Sequence, residues 1–114
     1  MRAIDTNILV RALVQDDPIQ SQRAQDLLNT QTVFIPVTVM LELEWVLRSR
    51  YGFTPKVISK AIQELAILEN AVVGEQAAVI SAASKMKDGW DFADALHHSL
   101  SESCLLYTSP SPRD

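Results

Sequence analysis

Four carboxylates, Asp5, Glu42, Asp91 and Asp94, are the residues of this chain whose type and spacing could do chemistry together. Carboxylates that converge from separate segments repel one another, and the usual relief is a hard divalent cation. Mg²⁺ suits such a pocket: it takes oxygen ligands at about 2.0–2.1 Å and keeps several of its waters. An ion held in this way generates hydroxide near neutral pH and clamps a phosphodiester. Each acid also has a plainer reading. Asp5 alone is a helix cap, Glu42 alone is a solvated helix residue, and Asp91 with Asp94 is a polar helix face. His97 and His98 read as exposed neighbours rather than ligands, although Asp94 and His98 at i,i+4 spacing could hold zinc. Each signal is weak alone, and only the combination points to a metal site.

The elements that must position these acids follow from the pattern of apolar residues and breakers. Arg2 to Ile4 is a short run that ends at Asp5, and Asn7 to Val14 continues as a helix capped by Asp5 or Thr6. Pro18 after Asp16-Asp17 starts a second helix that Asn29 ends, and Val33-Phe34-Ile35 before Pro36 is an apolar strand. Thr38 can cap a long helix to Tyr51, stopped by Gly52, and Thr54-Pro55 starts another that runs to about Glu69. Ala71-Val72-Val73 is a third strand. An alanine-rich helix from Glu75 to about Lys87 and a last helix from about Asp91 to Ser101 follow. Short uninterrupted apolar strands alternating with helices predict an α/β fold of three layers, α/β/α, around a central, mostly parallel sheet. In such sheets the functional crevice lies beyond the carboxyl ends of the strands, where Asp5 sits.

Helical wheels then separate the acids. In the third helix Val39, Met40, Leu43, Val46 and Leu47 form one apolar face with Glu42 on its shoulder. Glu44 is expected on the solvent face, paired with Arg48 at i,i+4. In the last helix Phe92, Ala95, Leu96, Ser99 and Leu100 form the buried stripe, and Asp91, Asp94, His97 and His98 share the other face. The helices carrying Trp45, Tyr51 and Phe53 hold more apolar surface than one small sheet can cover, which predicts an exposed patch or a dimer face.

Composition limits the alternatives. At 114 residues, 47% hydrophobic and 21% charged, the chain fits one globular domain with a real core. No apolar stretch approaches the ~20 residues of a membrane span and no signal peptide precedes Asp5, so the expectation is a soluble, cytoplasmic protein with no membrane contact. The single cysteine, Cys104, excludes an intrachain disulfide and a multi-thiolate zinc site. A net charge of −4 argues against a broad basic nucleic-acid footprint, but not against an acidic pocket neutralised by metal.

The segments "AIDTNILVRAL", "LELEWVLRSRYGF" and "WDFADALH", in this order and spacing, resemble the PIN domain, and within it the VapC-type toxins of bacterial toxin–antitoxin pairs. The similarity covers residues 1 to about 103. It implies a Mg²⁺-dependent endoribonuclease, with Mn²⁺ as a substitute ion, that cuts single-stranded or looped RNA, is held inactive by a cognate antitoxin and is often a homodimer. Asp5, Glu42 and Asp94 match the family's three metal carboxylates, which the resemblance makes the catalytic set. Asp91 matches an additional acidic position, and Thr6 and Asn7 match the "DTN" signature, where they would support Asp5.

The chain departs from that family at its end, where a fourth strand and further strand and helix elements are expected. Residues 104–114, "CLLYTSPSPRD", resemble the in-frame translation of a widely used transposase sequencing adapter, which makes them an artefactual tail and leaves Cys104 and Asp114 without functional weight. A natural Ser/Pro-rich linker is the alternative. Leu105 to Tyr107 is expected to take the slot of the fourth strand, with Ser109 to Pro112 leaving the sheet. Two other functions stand beside the nuclease. One is a receiver-like acidic-pocket domain, disfavoured because Val73 is followed by Gly74-Glu75-Gln76 with no Asp. The other is a catalytically dead or truncated module that only binds its partner.

Overall fold

Two prolines and two small polar caps set the helix starts most firmly. Pro18 opens α2 (Pro18–Thr30), with the Asp17 carboxylate accepting from the Ile19 and Gln20 N–H groups. Pro55 opens α4 (Pro55–Ala66), with the Thr54 hydroxyl accepting from Val57 N–H. Proline has no N–H to lose at that position, and the cap oxygens satisfy donors that no earlier turn can reach. The computed structural model describes residues 2–14 and 17–107. Its remaining elements are β1 (Arg2–Ala3), α1 (Thr6–Leu13), β2 (Val33–Ile35), α3 (Val37–Ser49), β3 (Ala71–Val73), α5 (Gln76–Met86) and α6 (Phe92–Tyr107).

The strands form one parallel sheet in the order β1-β2-β3, as expected for an α/β fold with helical crossovers. Arg2 pairs with Val33 and Val33 with Ala71; Ala3 pairs with Phe34 and Phe34 with Val72. Register therefore puts Val33, Ile35 and Val73 on one face, and all three are buried. The opposite row, Ala3, Phe34 and Val72, is only half covered, with Ala3 and Val72 exposed. Helices pack in succession: α1 on α2 and α3, α3 on α4, α4 on α5, and α5 on α6. Leu9, Met40, Leu43, Ile58, Ile62, Val79 and Phe92 meet in this core. Among the described residues no helix is long and apolar enough to cross a membrane.

Three local expectations are corrected. Thr38 does not cap α3; the helix starts at Val37 behind an extended Pro36, with no side-chain cap. Glu44 is not on the solvent face but buried, at 4% exposure. Leu105 to Tyr107 is not a strand, because α6 continues through Tyr107. Neither Gly nor Pro interrupts the chain from Phe92 to Tyr107, and each added helical residue gains a local hydrogen bond. A strand would first have to close a loop back to the sheet. The expected departure of Ser109 to Pro112 from the sheet falls outside the described residues.

Candidate functional site

The junction after β1 is where the sequence first concentrates chemistry. Ile4 N–H still bonds Phe34 O at 2.9 Å, as the last rung beside β2. Asp5 then turns the chain: its backbone is extended, and its Oδ1 accepts from Ile8 N–H at 3.0 Å as the N-cap of α1. Thr6, the first residue of that helix, is buried, and its hydroxyl donates to the Glu42 carboxylate of α3. This contact joins residues 36 apart in sequence and brings the acid of α3 to the residue that follows Asp5. Asn7 lines an open hollow with Arg11, Gln20 and Tyr51.

On α3 the two glutamates face apart, since two residues advance a helix by about 200°. Glu42 is exposed and reaches α1, whereas Glu44 lies inward and accepts from Arg48 Nε at 2.7 Å. The hydrogen bond from Arg48 to Glu44, and then the charge of that carboxylate, hold the guanidinium above its ordinary range; burial works weakly against this, and Asp91 adds its own attraction. Asp91 thus stands within electrostatic reach of Arg48, and α6 packs on α3. Sequence reading did not assign Arg48 to the surroundings of the α6 acids. The i,i+4 spacing shows its pairing with Glu44 but nothing of a contact between distant helices.

At the start of α6, Asp91 Oδ2 accepts from Asp94 N–H at 3.1 Å, so Asp91 does the work of a cap. Asp94, His97 and His98 are exposed beside it, while Phe92, Ala95, Leu96 and Ser99 are buried as their spacing predicts. His98 does not pair with Asp94; its Nδ1 lies 2.8 Å from Lys85 Nζ and 3.3 Å from Glu102 Oε1.

Asp5, Glu42, Asp91 and Asp94 share two properties relevant to a cation. All are exposed, and among the described residues none of them forms a salt bridge. Hard oxygen donors of this kind fit an ion such as Mg²⁺ in their chemistry. The four are not drawn into one cluster: among the described residues, no group of three or more His, Cys, Asp or Glu side chains could hold a metal ion. Like charges gain by standing apart, and three of the four carboxylates accept from protein donors instead: Asp5 from Ile8 N–H, Glu42 from the Thr6 hydroxyl and Asp91 from Asp94 N–H.

In this parallel α/β fold the turn that leaves the first strand is tied to an acid of a crossover helix through the contact of Thr6 with Glu42. Comparison with protein families makes the assignment: the PIN domain model matches residues 3–103, and the chain belongs to that family. PIN domains form a nuclease-type superfamily and typically use divalent metal ions. Comparisons with curated proteins and with solved structures returned no match.

Proposed function

We propose that this chain is the Mg²⁺-dependent endoribonuclease of a VapC-type toxin–antitoxin pair, hydrolysing RNA phosphodiester bonds at the acidic end of the sheet. The hydrogen bond from Thr6 to Glu42 carries this reading, because it ties the acid of α3 to the residue that follows Asp5. Asp5, Glu42 and Asp94 would hold the ion, with Asp91 beside them and Mn²⁺ able to replace Mg²⁺. A bound ion supplies Lewis acidity and a water acidic enough to attack phosphorus. The protein's own part is positional. The cap to Ile8 fixes the Asp5 side chain, the buried Thr6 hydroxyl aims Glu42, and the Asp91 cap sets the first turn of α6 that carries Asp94. A cognate antitoxin, cytoplasmic action and a homodimer belong to the same reading. Exposed Trp45 and Tyr51, on and just after α3, offer apolar surface for a protein partner.

Cleavage of a single-stranded RNA, followed with and without Mg²⁺, tests the proposal. Asp5→Asn and Asp94→Asn should abolish metal-dependent cleavage while leaving the circular dichroism spectrum unchanged, and Asp26→Asn on α2 should not. Full cleavage by Asp5→Asn would refute it. A second reading, a partner-binding module without chemistry, is favoured by the ungathered acids. It predicts no metal-dependent cleavage by the parent chain.

A further inference from the structure

Lysine occurs in one region of this chain only. Lys56 and Lys60 belong to α4, Lys85 to the last turn of α5, and Lys87 caps that helix; there are no others. The two helices pack together, which brings Lys56, Lys60 and Lys87 to one seam, while Lys85 turns to α6, its Nζ 3.4 Å from Glu102 Oε1. Lys56, Lys60 and Lys87 line one open hollow, and Lys56 and Lys87 continue into the next, which reaches Thr54 and Gly89. Glu64 is the acid lining the first hollow. Just past Gly89 stands Trp90, 42% exposed, with Lys85 Nζ 5.3 Å from its ring centre and the His98 ring at 5.2 Å. The next residue is Asp91.

We infer that this seam is a track for the backbone of single-stranded RNA, ending on Trp90 as a stacking platform for a base beside the acids of α6. The inference takes its substrate from the ribonuclease reading above. A chain of net charge −4 repels polyanions as a whole, so a local concentration of cations is what an RNA strand could follow. An acidic polypeptide would use the lysines alone. A nucleotide chain uses both features, with phosphates on the ammonium groups and a base on the exposed indole.

The test is binding of a 5′-labelled single-stranded RNA of about 12 nucleotides, measured by fluorescence anisotropy in EDTA across a NaCl series. Combined Lys56→Gln, Lys60→Gln and Lys87→Gln should lower the salt slope of log K by about 2, the loss of three contacts at about 0.7 each. Trp90→Leu should weaken binding about tenfold at every salt concentration without changing the slope. Arg11→Gln with Arg23→Gln, in the hollow between α1 and α2, is the control and should change the slope less. An unchanged slope in the lysine variant, or an equal loss in the arginine control, would overturn the inference. So would tighter, lysine-dependent binding of poly-L-glutamate than of the RNA, which would assign the seam to an acidic protein. Because binding is read without metal, the two readings fail separately. Cleavage with an unchanged slope removes the track alone, and lysine-dependent binding without cleavage removes the nuclease alone.

Discussion

Removing either partner of the Glu44–Arg48 pair breaks the same contact, yet the two losses should differ. Glu44 is 4% exposed, while the Arg48 side chain is 48% exposed and touches it through Nε at 2.7 Å. In Glu44→Gln the guanidinium can turn to water and the amide still fills the site, so the cost is about 1 kcal/mol. In Arg48→Ala the carboxylate stays inside without its cation. Breaking a buried pair in this way costs about 3–5 kcal/mol, and the half-exposed partner places this one at about 3. The difference, about 2 kcal/mol, is a large share of a total stability of about 5–15. Urea unfolding at pH 7 measures it, with a midpoint lower by about 1–3 M in Arg48→Ala. Equal losses in the two variants would refute the buried-charge account.

Asp5→Asn should leave thermal stability within about 0.5 kcal/mol while Asp5→Ala costs about 1, because asparagine keeps the cap to Ile8 and alanine does not; differential scanning calorimetry separates the cap from the proposed catalytic role. Thr6→Val should lower Mg²⁺-dependent cleavage by releasing Glu42, and Thr6→Ser should restore it, since only the hydroxyl makes the contact; a valine variant with parental activity would exclude that positioning role. Ser59 is fully buried, donates to Ala83 O at 2.5 Å and accepts from Gln63 at 3.0 Å. Ser59→Ala should therefore cost about 1 kcal/mol, a melting temperature lower by about 4–8 °C.

Local chemistry was legible in the sequence wherever a few neighbouring residues decide the outcome. Asp17-Pro18 and Thr54-Pro55 start helices because cap oxygens and a missing N–H act within one turn. Val33 to Ile35 and Ala71 to Val73 form strands over the residues their apolar runs mark, and the Phe92, Ala95, Leu96, Ser99 stripe is buried. The DTN junction was readable for the same reason, as a strand ending in a cap. Glu44 of α3 was not. That helix carries apolar residues around most of its circumference, so no wheel separates a wet face from a dry one. Contact with α1 on one side, and burial of Glu44 on the other, decided which acid reaches the first strand. Tertiary packing likewise gathered Lys56, Lys60 and Lys87 into one seam and brought the charge of Asp91 to bear on Arg48. Each of these depends on residues far apart in the chain, and a one-dimensional pattern cannot encode the distance between them until the helices have packed.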